Sequence, residues 1–295
     1  MSTNNYHTSV LSSAVVKLLK VKEGKKYIDA TLGGAGHAGL ILQKGALVLG
    51  IDQDEDAISY SSKKHEYYIK NKSFNVVKGN FLNLAQIARL NKFENVDGIL
   101  FDLGVSSHQL DTKDRGFAFK SEGPLDMRMN KSLAVSAKDL INGLNKKELI
   151  MLFTKYGQEP KAKAVAARIV EARKNQIIST TTELASIVGS VIKRSEKGIH
   201  PATRVFQALR IAINDELFSL EEALPQALQV VKKEGRIVVI SYHSLEDRIV
   251  KKSFMEFENE KKGIIITKKP ISPENLELLE NKRSRSAKLR AFEKI

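Results

Sequence analysis

Cysteine and tryptophan are both absent from this chain of 295 residues. Without cysteine, disulfide bridges, iron–sulfur clusters, thiolate zinc sites and a cysteine nucleophile are excluded. No apolar run approaches the ~18 residues that span a bilayer, and the polar first ten residues lack the regions of a secretory signal. These absences predict a cytoplasmic protein with no membrane contact.

Histidine is also sparse, with six residues scattered along the chain and no His-Glu-x-x-His sequence. Together with the missing cysteine, this pattern predicts no metal site. Positive charge is plentiful, since 48 Lys and Arg residues against 34 Asp and Glu residues give a net charge of +14. Such an excess favours a polyanionic partner, because cationic contacts to phosphates supply much of the affinity for nucleic acids. Solubility alone is the competing explanation for the charge.

Short β-rich runs alternate with helical stretches through the first third of the chain. The pattern predicts strands at 26–30, 46–52, 75–78 and 96–103, with helices at 36–43, 54–70 and 83–91. Such alternation is typical of βαβ units and predicts an α/β fold with a parallel, doubly wound sheet.

Residues 136–193 have helical periodicity and almost no strand signal, which returns at 236–241, 264–267 and 289–292. One sheet interrupted by a helical insertion is the simplest arrangement. The predicted domains are therefore 1–108 and 201–295 for the sheet, and 109–200 for the insertion.

The sharpest local motif is Asp-Ala-Thr-Leu-Gly-Gly-Ala-Gly-His at 29–37, which follows the first predicted strand and opens a helix. Glycines at such a turn let a ligand approach the backbone, and the start of the helix offers free N–H groups. Asp52 ends the second predicted strand, where a carboxylate can accept both ribose hydroxyls of a nucleoside cofactor.

Two cofactors compete for this motif, and a tight turn without a ligand is the third interpretation. Gly34-x-Gly36-x-x-Gly39 matches the dinucleotide fingerprint of NAD enzymes. S-adenosylmethionine (SAM) carries an ammonium and a sulfonium instead of a pyrophosphate. These cations suit the acidic residues Asp29 and Asp102, which end the first and fourth predicted strands.

The other predicted strand ends add candidates along the same edge. The Phe81 ring would stack on an adenine, with Asn80 at the edge of that base, although a core position is the alternative. Asp102, or a carbonyl beside it, would accept a hydrogen from an amine to be methylated, with a helix cap as the alternative. Tyr242 and His243 follow the predicted strand at 236–241 and are catalytic candidates.

Five arginines are candidates for RNA binding, with packed loops or solvated faces as the alternatives. Arg115 and Arg128 lie in a stretch that mixes basic and aromatic residues, a combination that binds single-stranded RNA. Arg283 and Arg285 lie at 281–290, where five of ten residues are basic. The five are Arg115, Arg128, Arg204, Arg283 and Arg285.

Taken together, these motifs resemble the MraW-type (RsmH) methyltransferases, a family that methylates cytosine N4 in 16S ribosomal RNA. The matching stretches run in order along almost the whole chain: His7 with Val10 and Leu11, 29–37, 52–54, 97–111, 115–119, 123–129, 200–216, 240–248 and 281–290.

The resemblance implies a SAM-dependent class I methyltransferase sheet with an inserted helical domain that helps to recognise RNA. It also implies that 16S rRNA within the small ribosomal subunit is the substrate, with the target cytosine near the decoding centre. The implied cofactor contacts are Gly34, Ala35, Gly36, His37, Asp52, Phe81, Asp102 and Gln109. Ala35 stands where the family commonly has glycine, a difference that matters little if its φ is negative.

Two other functions stay open at this point: an NAD-dependent oxidoreductase, and a non-catalytic RNA-binding assembly factor that keeps the fold. A homodimer is a further option that the sequence does not decide.

Overall fold

A computed structural model describes residues 9–119, 121–193 and 200–295, so His7 lies outside the described residues. The chain forms two compact units: Met1–Ser106 with Leu217–Ile295, and Ser107–Glu216. The sequence prediction ended the insertion at residue 200, which is too early. The second unit extends further because the Asn214 side chain hydrogen-bonds the backbone of Met127 and Met129, which ties the preceding helix to this unit.

Within the described residues, the strands are β1 (Lys26–Asp29), β2 (Leu47–Asp52), β3 (Phe74–Lys78), β4 (Val96–Asp102), β5 (Val231–Ser241), β6 (Gly263–Ile265) and β7 (Lys288–Lys294). The helices are α1 (Ser12–Leu18), α2 (Gly36–Leu42), α3 (Glu55–Lys64), α4 (Glu66–Lys70), α5 (Leu84–Leu90), α6 (Ser107–Asp111), α7 (Ala137–Gly143), α8 (Lys146–Lys155), α9 (Ala162–Asn175), α10 (Thr181–Val191), α11 (Thr203–Ile213), α12 (Glu216–Val230), α13 (Ser244–Asn259) and α14 (Asn275–Glu280). None of the helices in this part of the chain is long and apolar enough to cross a membrane.

The first unit is built on one sheet with the strand order β3-β2-β1-β4-β5-β7-β6. Strands β1 to β5 are parallel, as the sequence predicted. The last two strands depart from this direction, because β7 runs antiparallel to both β5 and β6. A doubly wound core with an antiparallel edge is common among large sheets.

Apolar side chains alternate along the strands, so that each face of the sheet buries its own layer. On β1, Ile28 packs with one layer, and Tyr27 packs with the other. The first layer includes buried residues of α5, α12 and α13, and the second includes those of α1 and α2. Each fully buried large apolar side chain contributes about 1.5–3 kcal/mol, so these two layers hold the sheet edges in place.

The second unit is helical over most of its length, as predicted. Capping boxes begin three of its helices, at Ser136, Asn145 and Thr180, and each satisfies backbone N–H groups in the first turn. Helix α11 ends at Ile213. Asp215 follows with φ of +47°, a left-handed conformation that breaks the helix before α12.

Candidate active site

The carboxyl edge of the sheet in the first unit gathers three aspartates. Asp29, Asp52 and Asp102 are the last residues of β1, β2 and β4. Because these strands are parallel and in register, their ends meet at one edge, which is where doubly wound sheets bind ligands. We call these three residues the acidic edge.

The glycine-rich turn between β1 and α2 is fastened to the acidic edge. The backbone N–H of Gly33, which has φ of +49°, donates to Asp52 Oδ2 at 2.7 Å. From α3, the Ser61 hydroxyl donates to the carbonyl of Gly33 at 2.8 Å, and Lys64 Nζ donates to the carbonyl of Gly34 at 3.3 Å. Sequence analysis missed Ser61 and Lys64, because an ordinary helical sequence carries no signal for a contact to a distant turn.

Alanine in place of glycine at position 35 was expected to matter little if its φ were negative, but φ is positive. It is the N-cap of α2 and has φ of +54°, in the left-handed region that glycine adopts freely. A Cβ atom in this conformation costs about 1–2 kcal/mol. The surrounding core holds Ala35 in place, since its side chain is fully buried.

Burial changes the acidity of two residues of the acidic edge. Burial raises the pKa of Asp52 to about 6, although hydrogen bonds from the N–H groups of Asp54 and Gly33 act in the opposite direction. Burial likewise raises the pKa of Asp29 to about 6, against the opposing influence of His37. Both carboxylates are therefore ionised at neutral pH, but at a cost that a cationic or hydroxyl-bearing ligand would offset.

Asp102 is held between two side chains from distant parts of the sequence. The Tyr242 hydroxyl donates to Asp102 Oδ1 at 2.8 Å, and His37 Nε2 lies 3.4 Å from Asp102 Oδ2. The backbone N–H of Asp102 donates to the hydroxyl of Thr31 at 2.6 Å. Thr31 belongs to the glycine-rich motif, but its role was not predicted. The carboxylate is thus fixed from both sides.

The two partners of Asp102 differ in protonation. Burial and the negative charge of Asp102 raise the pKa of Tyr242 well above 10, so its hydroxyl stays protonated and acts as a donor. Burial acts to lower the pKa of His37, but the interaction with Asp102 outweighs it and the pKa is raised. His37 is therefore drawn toward the imidazolium form beside Asp102.

Phe81 occupies the place expected at the end of β3. It packs partly against the core, edge-on to Phe101 with ring centroids 5.8 Å apart. Asn80, in contrast, is engaged locally: its Oδ1 accepts from the N–H of Leu82 at 2.9 Å, and its Nδ2 donates to Gln53 Oε1 at 3.3 Å. The expected contact of Asn80 with a base edge therefore competes with a turn that Asn80 already stabilises.

His243 acts as the N-cap of α13. Its Nδ1 accepts from the N–H of Glu246 at 3.3 Å, and Glu246 Oε2 accepts from the N–H groups of Tyr242 and His243 at 2.7 and 3.2 Å. This reciprocal capping box accounts for His243 as a structural residue, so we do not propose it as a catalytic residue.

Two of the predicted RNA-binding arginines are engaged in hydrogen bonds within the second unit. Arg115 is only 4% exposed, and its Nη2 donates to the carbonyls of Arg128 and Met129. Arg128 forms a two-point ion pair with Asp126 and also donates to the carbonyls of Lys131 and Leu133. These contacts stabilise a loop, so neither guanidinium is proposed to contact phosphate.

The remaining sequence candidates differ in exposure. Arg204, Arg283 and Arg285 are exposed, the last two in the basic turn before β7. Gln109 is buried in α6 of the second unit.

The acidic edge fits SAM on its own chemistry. The Asp52 carboxylate suits a ribose, and the ionised aspartates suit a ligand with an ammonium and a sulfonium. His37 Nδ1 is buried without a hydrogen-bond partner among the described residues, as a polar atom next to a ligand site would be. Fold and site together define the class, a SAM-dependent methyltransferase.

Comparison with known proteins places the chain within that class. It belongs to the MraW methylase family, whose model matches residues 4–295. This membership leaves the NAD oxidoreductase interpretation without support.

Similar proteins are named accordingly. A ribosomal RNA small subunit methyltransferase H from Coprothermobacter proteolyticus is 44% identical over 290 residues, which cover 98% of this chain and 96% of the relative. A relative of the same name from Geobacter sp. (strain M21) is 44% identical over 310 residues, which cover 98% and 99%. A solved structure of an rRNA methylase from Streptococcus thermophilus is similar over 96% of this chain and 93% of the other, with a TM-score of 0.46 and 10% identity.

Proposed function

We propose that this protein transfers a methyl group from SAM to the exocyclic N4 amine of a cytosine in 16S rRNA, near the decoding centre of the small ribosomal subunit. The relatives named as small-subunit rRNA methyltransferases support the substrate class. The choice of atom rests on the family resemblance and on the fixed carboxylate of Asp102, which is the observation that carries the proposal.

An exocyclic amine needs an acceptor because its lone pair is delocalised into the pyrimidine ring. Asp102 accepts a hydrogen of that amine and so favours the form in which the nitrogen lone pair is directed at the methyl group. The sulfonium of bound SAM supplies an electrophilic methyl group. Methyl transfer would form the N–C bond as the S–C bond breaks, S-adenosylhomocysteine would be the leaving group, and the nitrogen would then release one proton to water.

The remaining residues of the edge hold and orient the reactants. Asp52 would accept from the ribose hydroxyls of SAM, the turn at 33–37 would hold the methionine end, and Phe81 would pack against the adenine. Tyr242 and His37 keep the carboxylate of Asp102 in one orientation. Such positioning reduces the entropic part of the barrier, which is the main contribution that an enzyme can make to an in-line displacement.

A methylation assay tests this proposal. Small ribosomal subunits from cells that lack the protein are incubated with SAM and the purified chain, and the nucleosides of the digested rRNA are analysed by mass spectrometry. We expect N4-methylcytidine. A different methylated nucleoside would contradict the proposed atom, and SAM binding without any methylation would favour the non-catalytic assembly factor.

A further inference from the structure

The amino edge of the same sheet carries a cluster of opposite charge. A groove of about 830 Å³ is lined by α1, by the end of α2, and by the loops that lead into β1 and β2. Four lysines line it, and among the described residues no carboxylate does. We call Lys17, Lys20, Lys22 and Lys44 the lysine groove.

Most of this charge is not neutralised by the protein. Lys20 pairs with Glu293 at 2.8 Å, and Glu293 is shared with Arg236. Lys17, Lys22 and Lys44 are exposed, and none of these side chains has an ion-pair or hydrogen-bond partner among the described residues. Like charges gathered in this way repel one another unless an anion is present.

Capping of α1 does not account for the lysines. The carbonyl of Leu18 at the end of this helix accepts from Arg236 Nη1 at 2.8 Å, and the carbonyl of Lys17 accepts from the backbone N–H of Lys20 at 3.1 Å. The orphan carbonyls that lysine side chains often satisfy therefore have other partners here.

The backbone that presents the lysines is rigidly anchored. The hydroxyl of Tyr27, a residue only 1% exposed, accepts from the N–H of Lys22 at 3.0 Å and donates to the carbonyl of Lys20 at 3.1 Å. The N–H of Gly24 donates to the carbonyl of Gly45 at 2.9 Å, which ties this loop to the one that carries Lys44. The core thus fixes where the four lysines emerge.

We propose that the lysine groove binds backbone phosphates of the RNA substrate. The inference rests on the proposed function for the identity of that RNA. A site of exposed, unpaired lysines around an open groove suits a polyanion whose phosphates lie side by side, because each contact releases counterions from the nucleic acid. The groove and the acidic edge lie at opposite ends of β1 and β2, so the groove contributes to RNA affinity and not to the chemical step.

Matched variants separate this role from a general effect of charge. The test variant is Lys17→Gln/Lys22→Gln/Lys44→Gln, which leaves the Lys20–Glu293 pair intact. The control variant, Lys63→Gln/Lys72→Gln/Lys251→Gln, removes the same charge from three exposed lysines elsewhere in the first unit. Binding is measured with a 16S rRNA transcript across salt concentrations, and kinetics with small ribosomal subunits.

We expect the slope of log affinity against log salt to become less negative by about 2 in the test variant, at ~0.7 for each lost single-strand phosphate contact. The KM for subunits should rise roughly tenfold, in line with that loss of contacts, while kcat and the Kd for SAM stay unchanged. An equal change in the control variant, or no change in either, would overturn the proposal.

Three further outcomes are equally decisive. Weakened SAM binding or a large loss of thermal stability in the test variant would overturn the proposal in favour of a structural role. Weaker binding to phosphatidylglycerol vesicles with unchanged RNA affinity would overturn it in favour of an anionic surface. Failure of the wild-type chain to methylate subunits would defeat the proposed function, while the salt slopes would still decide for or against the groove.

Discussion

The two edges of the sheet carry opposite charges in opposite settings. At the acidic edge, the carboxylates are buried or partly buried, held by backbone N–H groups and by Tyr242, and two of them have pKa values raised to about 6. At the lysine groove, the charges are exposed and mostly unpaired. A buried charge is costly and must be oriented, which suits one small ligand, whereas exposed charge suits a large polyanion.

The largest effect is expected at Asp102, the residue of the acidic edge that is proposed to contact the reacting amine. Asp102→Asn keeps the shape of the side chain but removes the charge that accepts the amine hydrogen, so kcat at saturating SAM should fall by ~100-fold or more. Steady-state methylation of small subunits measures this, with Glu94→Gln as a control that removes one exposed carboxylate. A kcat within threefold of wild type would show that Asp102 only fills space.

The next effect concerns the free energy of unfolding, which the buried carboxylate of Asp29 should lower at neutral pH. Burial raises the pKa of Asp29 from 3.8 to about 6, so the folded protein binds the Asp29 proton more tightly than the unfolded chain does. This proton linkage stabilises the folded state fully below pH 3.8, and the stabilisation is lost as the pH rises through 6. At about 1.4 kcal/mol per pKa unit, the ionised carboxylate costs up to ~3 kcal/mol at pH 7.5.

Asp29→Asn removes that cost. We expect urea unfolding to give a free energy of unfolding about 2 kcal/mol higher than wild type at pH 7.5, because the hydrogen bond from the Thr31 N–H weakens when its acceptor loses the charge, which offsets part of the gain. The advantage should vanish near pH 4. A variant that is less stable than wild type at pH 7.5 would contradict the assignment of a buried, destabilising charge.

Cofactor binding should depend on the ionisation of Asp52. Ribose hydroxyls donate to the carboxylate, and its pKa is about 6, so SAM affinity should be nearly constant above pH 7 and fall about tenfold between pH 7 and pH 5. Calorimetry in an Asp29→Asn background isolates Asp52, since Asp29 titrates in the same range.

The matching variant is Asp52→Asn in the same Asp29→Asn background. It should bind SAM tenfold or more weakly at pH 7.5, and its affinity should no longer vary between pH 5 and pH 7, because the titrating group is gone. A pH dependence that persists in this variant would assign the proton to another residue.

The smallest effect is expected from the exposed arginines in the turn before β7. Arg283→Ala/Arg285→Ala should weaken RNA binding a few-fold and lower the salt slope by ~0.7 for each residue that contacts phosphate. Filter binding with a 16S rRNA transcript measures both quantities, and Arg89→Ala/Arg168→Ala removes the same charge from exposed positions elsewhere. Equal losses in the two variants would mean that overall charge, and not the turn before β7, sets the affinity.

The acidic edge was predictable from the sequence because each aspartate ends a β-rich run, and the ends of parallel strands share one edge. Strand directions at the C-terminal end were not predictable, because short apolar runs such as 264–267 and 289–292 predict strands without their orientation. Asp102 and Tyr242 are 140 positions apart in the sequence, and only the order of the strands brings them into contact.

Arginines illustrate the same limit within one residue type. Arg115 and Arg283 are equally basic in the sequence, but Arg115 is buried on backbone carbonyls and Arg283 is exposed. Composition reports charge and not burial, so a local mixture of basic and aromatic residues could not separate a packed loop from an RNA contact.

Equilibrium binding of both ligands to two variants tests the division between the edges most directly. SAM and a 16S rRNA transcript are each titrated against Asp52→Asn and against Lys17→Gln/Lys22→Gln/Lys44→Gln. The account predicts that the first variant loses SAM affinity at least tenfold with RNA affinity unchanged, and that the second loses RNA affinity with SAM affinity unchanged. Loss of both affinities in either variant would contradict it.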